Sequence, residues 1–277
     1  MSDWDDLCRE LDAWADAGQA ASLWWRDDDA TRPTPALARL LAIAAAHDAP
    51  VAVAVIPATA TVALAQRLNA AGNARIRILQ HGFAHRNHAP AHARKCELGD
   101  HRPVATVAAE LARGHMRMDD LFGAGAWLPV LVPPWNRIAP AVVAVLPELG
   151  FCGLSTCGPR PQEDAASNPA TPGLVHVNTH VDILRWTRPR GFVGVADALE
   201  RLVAHLRARR AGSVDAAEPT GLLTHHLAHD AAAWTFLERL IMLLTHHPGA
   251  RLIDPVAAFA RTAAAAPLRQ HGTSGAT

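Results

Sequence analysis

The run Ser22-Leu23-Trp24-Trp25-Arg26 leads into Asp27-Asp28-Asp29, is followed by an Ala/Leu-rich segment from Pro35 to His47, and then by the β-branched run Val51 to Ile56. Strand, helix and strand are the natural reading. Both strands are apolar throughout rather than alternating, which is what a parallel sheet covered on both faces requires. Outward from this unit the alternation continues. Thr59 to Ala71 reads as a helix, Arg75 to Gln80 as a strand, Val104 to Leu121 as a helix, Trp127 to Val132 as a strand, Pro140 to Leu149 as a short helix and Phe151 to Ser155 as a strand. Leu174 to Val177, extending towards Ile183, adds a strand, and Ala196 to Arg209 a helix. Gly221 to Thr224, Ala231 to Thr245, Arg251 to Ile253 and Pro255 to Ala264 close the series as strand, helix, strand and helix. Trp4 to Ala17 carries Trp4, Leu7, Leu11 and Trp14 at helical spacing and reads as a covering helix over one end, within residues 1–20. The pattern implies an α/β chain with parallel strands and outer helices, a (β/α) barrel in preference to an open doubly wound sheet. Residues 1–267 form one domain in this reading, and 268–277 a disordered tail.

The composition narrows the partners. Lys plus Arg and Asp plus Glu stand at 26 each, 50% of residues are hydrophobic and 19% charged, so the chain should fold and has no basic surplus to draw nucleic acid or an anionic membrane. Cys8, Cys96, Cys152 and Cys157 have no CxxC spacing and read as reduced thiols, and the acidic start Met1-Ser2-Asp3-Trp4 lacks the pattern of a secretory signal. A cytoplasmic protein is expected. Ala49 to Gln66 is interrupted by Pro57 and reads as a strand entering a helix, not as a membrane span.

In parallel α/β folds ligands gather where the strands end. Here those ends carry Asp27-Asp28-Asp29, His81-Gly82-Phe83-Ala84-His85, Pro133-Pro134-Trp135-Asn136 and His225-His226, with Asp182 and Trp186 after an intervening strand. His81 and His85 are four apart, so on a helical first turn both imidazoles share a face and, with a carboxylate of the triplet, form a two-His, one-Asp site suited to Zn²⁺ or a related metal. Gly82 allows a sharp turn or a close approach. Strand alternation sends Asp27 and Asp29 one way and Asp28 the other unless the strand ends first, which leaves the cavity-facing pair open. Only one of His225 and His226 faces inward if their strand continues; that one is a candidate general acid. His88, His229 and Asp230 are candidate partners that fix an imidazole tautomer. His246-His247 reads as a helix C-terminus, and Trp135 as a cleft residue able to pack on a sugar ring.

This ordered set resembles the polysaccharide deacetylases of carbohydrate esterase family four, in a divergent bacterial branch. Arg26-Asp27-Asp28-Asp29-Ala30 is similar to their Thr-Phe-Asp-Asp-Gly motif, His81-Gly82-Phe83-Ala84-His85 to His-Ser/Thr-x-x-His, Val132-Pro133-Pro134-Trp135 to the Arg-x-Pro-aromatic groove motif, and Leu223-Thr224-His225 to the closing Leu-x-His. The resemblance implies a distorted, seven-stranded barrel and a Zn²⁺-type cofactor. It implies Asp28 as base, Asp29, His81 and His85 as metal ligands, His225 as catalytic acid, and a groove formed by Pro134, Trp135 and Asn136, with Asp182 and Trp186 as its further wall. His226 then stands behind His225. Val132 replaces the groove Arg, Gly82 replaces Ser/Thr and Ala30 replaces Gly. The expected activity is metal-dependent removal of an acyl group, N-acetyl first, from a soluble saccharide or carrier-linked intermediate. The alternatives are a non-catalytic sugar- or metal-binding descendant and a barrel metallohydrolase acting on a non-sugar amide or ester.

Overall fold

The computed structural model describes residues 3–72, 75–160 and 171–260. In chain order its elements are α1 (Trp4–Asp16), β1 (Ala21–Ala30), α2 (Pro35–Ala46), β2 (Val51–Val55), α3 (Val62–Ala70), β3 (Ile76–His81), α4 (Val104–Phe122), β4 (Val130–Val132), α5 (Pro140–Val143), β5 (Gly153–Leu154), β6 (Val175–His176), β7 (Val181–Asp182), β8 (Leu184–Arg185), β9 (Gly191–Phe192), α6 (Val195–Arg210), β10 (Thr220–Thr224), α7 (Ala231–His246), β11 (Ala250–Leu252) and α8 (Pro255–Ala258). The expected tail at 268–277, the end of the last helix and nearly all of the Gln162 to Thr171 loop lie outside the described residues.

Local signals set the helix starts. Asp3 and Asp6 form a reciprocal capping box on α1, whose Leu7, Leu11 and Trp14 are buried. The Thr34 hydroxyl accepts from Leu37 N–H at 3.0 Å, with Pro35 in the first turn of α2; Thr61 does the same for Leu64 at the start of α3. His246 ends α7 and its Nδ1 lies 2.7 Å from the Met242 carbonyl, in keeping with a helix C-terminus.

All strand pairs in the main sheet are parallel, and its path runs β6-β5-β4-β3-β2-β1-β10-β7, with β11 also paired to the start of β1. The path therefore holds eight strands, not the expected seven, because two-residue strands extend both edges. These edge strands, β6 and β7, are consecutive in the chain. Only residues 177–180 separate them, a reach of about 17 Å at full extension, so the sheet curls until its edges nearly meet. Trp24 locks the gap by donating from Nε1 to the Asn178 carbonyl at 3.0 Å.

Side chains alternate between two cores. Trp24, Ala52, Ala54, Leu79, Val130 and Val132 fill the inside of the curl, where the alanines leave room for the indole and Phe259 meets it edge-on at 5.6 Å. Trp25, Val51, Val53, Val55 and Leu131 face the helices. No described helix is long and apolar enough to cross a membrane, and all four cysteines are free thiols.

Candidate metal and catalytic site

β1 does not stop before the carboxylates. It runs through all three to Ala30, and its register against β2 shifts between Asp27 and Ala30, with Asp29 at φ +75°. This bulge breaks the simple alternation. Asp27 points towards the helix side, where its carboxylate accepts from Thr224 Oγ1 at 2.7 Å and His226 N–H at 3.0 Å and meets His226 Nδ1 at 2.5 Å. Burial alone would raise the Asp27 pKa, but His226 and Thr224 hold it below the usual range; Asp27 in turn outweighs burial and raises that of His226. Asp28 and Asp29 both reach the inner end of the barrel.

The two histidines of the HxxxH spacing are not on a helix. His81 is the last residue of β3, and the chain then turns through left-handed Gly82 (φ +55°) and His85 (φ +53°). Glu97, buried and overlooked in the sequence reading, makes that turn: its carboxylate accepts N–H groups from Phe83 at 3.1 Å, Ala84 at 2.8 Å and Arg86 at 3.3 Å. No periodicity or motif signals Glu97 in its polar loop. A Cβ on Gly82 would lie 2.1 Å from Glu97 Oε2 and 2.6 Å from the Pro134 ring, so the space of the family's Ser/Thr is already filled.

The donor atoms of Asp29, His81 and His85 lie within 4.8 Å of one another. Asp29 Oδ1 is 3.1 Å from His81 Nε2 and 3.4 Å from His85 Nε2. His81 Nδ1 faces the Val132 carbonyl at 3.0 Å; a carbonyl only accepts, so Nδ1 carries a proton, and in the neutral ring Nε2 turns a lone pair on the carboxylate. Two acceptors in that position demand a cation between them. Asp29 Oδ1 is buried without a hydrogen bond, and two imidazoles with one carboxylate suit a divalent transition metal. Protonation of His81 answers the same demand, since Asp28 and Asp29 overcome burial and raise its pKa. His85 is shifted down, by burial first and then by His81. For Asp29, burial acts upwards but His81 and its neighbours hold the carboxyl far below the ordinary range.

Asp28 lies beside this cluster, fully buried. Its Oδ1 is 2.9 Å from Arg26 Nε, its Oδ2 accepts from Arg26 Nη2 at 3.1 Å, and His225 Nε2 stands 4.0 Å away. Trp186, 45% exposed on the β8–β9 hairpin, meets the His225 ring edge-on at 4.6 Å. Asp182 fixes that indole, accepting from Trp186 Nε1 at 2.8 Å and from Leu184 N–H at 2.9 Å, and burial pushes its pKa up. After β4, Trp135 packs on His85 at 4.3 Å, Pro134 is buried against the Gly82 turn, and Asn136 accepts from Arg26 Nη2 at 2.7 Å. Trp135 and Asn136 are both left-handed, at φ +57° and +55°.

Two of the expected partners, His88 and Asp230, engage other groups. His88 has Arg102, Glu110, Arg86 and Glu97 as its charged neighbours rather than the histidine pair. Asp230 caps α7, accepting from Ala233 N–H at 2.8 Å. His229 packs on Trp234 at 4.5 Å with Asp27, His225 and His226 among its charged neighbours, and burial lowers its pKa to about 4. The orienting acceptor for His81 is instead a backbone carbonyl, that of Val132.

Solved structures define the class of this fold as that of the polysaccharide deacetylases and family-four carbohydrate esterases. A putative polysaccharide deacetylase from Mycobacterium smegmatis superposes with a TM-score of 0.64 at 18% identity, over 86% of this chain and 88% of that one. A family 4 acetyl xylan esterase from Clostridium thermocellum, in complex with a cobalt ion, gives 0.50 at 14% identity, over 86% and 90%. A family-four pseudoenzyme from Bacillus anthracis gives 0.53 at 11% identity, over 87% and 66%. No protein-family model and no curated protein matches the chain.

Proposed function

We infer that this chain is a metal-dependent hydrolase that removes an acyl group, N-acetyl in the first instance, from a carbohydrate, with residues 1–267 as its catalytic domain. The observation that carries the reading is the meeting of Asp29, His81 and His85 at the strand ends, with Asp28 and His225 4.0 Å apart beside them. Asp29, His81 and His85 would hold the cation, Zn²⁺ by donor type. Bound there, it supplies Lewis acidity towards an amide carbonyl and a water molecule.

The remaining chemistry belongs to the protein. Asp28 accepts the proton of the attacking water as the C–O bond forms. His225 delivers a proton to the departing nitrogen as the C–N bond breaks, leaving a carboxylic acid and an amine. Trp135 beside His85 and Trp186 beside His225 each offer an aromatic face on which a sugar ring can stack. Asp182 keeps Trp186 against His225, which limits rotation of that imidazole.

Acetate release from N-acetylated oligosaccharides, with and without chelator, tests the reading. Release that stops with chelator and returns with Zn²⁺ supports it; a fully metal-loaded protein that releases no acyl group from any acylated sugar refutes it. In that event the non-catalytic reading, to which Val132 and the Bacillus anthracis neighbour lend weight, takes its place. Turnover of non-sugar amides or esters alone would favour the barrel metallohydrolase. Single Ala variants at Asp29, His81 and His85 should each lose stoichiometric metal by elemental analysis.

A further inference from the structure

Val132 sits where the related motif carries an arginine, yet Asp28 is not without one. Arg26, on the same strand and two residues earlier, is fully buried and points its guanidinium at Asp28 from below. Its Nη1 donates to Ser155 Oγ at 2.6 Å, to the Ser155 carbonyl at 3.2 Å and to the Thr156 carbonyl at 3.3 Å, while Nη2 donates to Asp28 Oδ2 at 3.1 Å and Asn136 Oδ1 at 2.7 Å. The loop after β5 thus grips Nη1, while Asp28 faces Nε and shares Nη2 with Asn136 from the loop after β4. A planar guanidinium with donors on three nitrogens fits this arrangement; an ammonium cannot span it.

We propose that Arg26 is the positioning residue for Asp28, replacing the missing groove arginine from within β1, and that the left-handed Trp135-Asn136 turn is the clamp that keeps Arg26 in place. The inference rests on the function proposed above only for its kinetic readout. The clamp is an unusual local conformation. Asn tolerates the left-handed region, but Trp seldom does. Two consecutive such residues persist where the surroundings over-determine them. Here Trp135 is held on His85 and Asn136 on Arg26, so one turn ties a candidate metal ligand to the support of the candidate base. A purely structural Arg26, balancing buried charge, would need neither the turn nor the Asn136 acceptor.

The test uses the full chain loaded with Zn²⁺ and three variants: Arg26→Met, Arg26→Lys and Asn136→Ala. A displacement of about 1 Å in a reacting group costs about a hundredfold in rate. Arg26→Met should therefore lower kcat at least about a hundredfold with KM within about threefold of the parent, and with metal stoichiometry unchanged. Arg26→Lys should restore part of that loss, and Asn136→Ala should lower kcat about tenfold. Crystal structures of the metal-free parent and variants give a readout independent of turnover. The Asp28 carboxylate should move by about 1 Å or more in Arg26→Met or Asn136→Ala, while Asp29, His81 and His85 stay in place. An Asp28 carboxylate that keeps its position without Arg26 overturns the proposal, as does undiminished kcat. Should the parent release no acyl group at all, the functional reading fails, and the crystallographic comparison alone still decides the role of Arg26. If Arg26→Met does not fold, Arg26→Lys and Asn136→Ala carry the decision.

Discussion

Gly82→Ala is the most informative single change, because one methyl group strikes three features of the site at once. At φ +55° an alanine enters the left-handed region, which costs about 1–2 kcal/mol. The new Cβ would lie 2.1 Å from Glu97 Oε2 and 2.6 Å from Pro134 Cδ and Cγ. The proline ring cannot retreat by a rotamer change, so the Glu97 carboxylate must give way. Oε2 holds Phe83 N–H at 3.1 Å, and losing one charge-assisted hydrogen bond costs about 1.5–3 kcal/mol. Together these reach about 2.5–5 kcal/mol, a large share of the about 5–15 kcal/mol that holds a typical domain together. The turn they disturb carries His85 back to Asp29, so metal affinity should fall with stability. Urea unfolding of parent and variant, followed by competitive Zn²⁺ titration, measures both. Glu97→Ala and the double variant complete a cycle: Gly82→Ala should cost less once Glu97 is gone. A variant that unfolds within about 1 kcal/mol of the parent and binds metal equally would refute the claim that this turn is glycine-specific.

Three further outcomes are expected. His225→Ala should retain metal while turnover drops at least about a hundredfold; an unchanged rate would move the acid role to another group. Asp27→Asn should destabilise by about 3–5 kcal/mol, the scale for breaking a buried pair, and a loss under about 1 kcal/mol in urea unfolding would show that the contact with His226 contributes little. Burial, then His180 and Arg209, lower the His205 pKa to about 3, and burial lowers that of His229 to about 4, against 6.5 for the free side chain. Both stay neutral in the fold while the unfolded chain takes up protons, so their contribution is full above pH 6.5 and declines as pH falls towards 4 and 3. The slope is up to about 1.4 kcal/mol per pH unit for each histidine. His205→Gln should flatten the urea midpoint against pH, and an identical slope would refute this assignment.

The barrel was legible because its information is local: apolar runs such as Val51–Val55, and threonines before α2 and α3 that mark where helices begin. The positions of the candidate ligands were legible for the same reason, since strand ends converge in any parallel barrel. What stayed hidden depends on distant partners. Nothing beside Glu97 in sequence indicates that it will shape the turn between His81 and His85. β6 and β7 fall in the stretch read as one strand from Leu174 towards Ile183; such two-residue strands carry no periodicity, so its division between the two edges of the sheet escaped notice. Within Asp27-Asp28-Asp29 alternation left the inward pair open and only the motif resemblance pointed to Asp28 and Asp29, because no alternation rule contains the bulge against β2. Arg26 was silent because its acceptors, Ser155, Thr156 and Asn136, lie more than a hundred residues away.

A one-step slide of β1 keeps Trp on Trp at one position, across the two cores, and Asp on Asp at two positions of the triplet. At those three positions the mispaired strand loses little, so they do not by themselves exclude it during folding. Arg26 breaks the near-degeneracy. Displaced by one position, its cation would face the hydrophobic layer beneath the helices with none of its oxygen acceptors, and the wrong alignment would be rejected by desolvation rather than by shape.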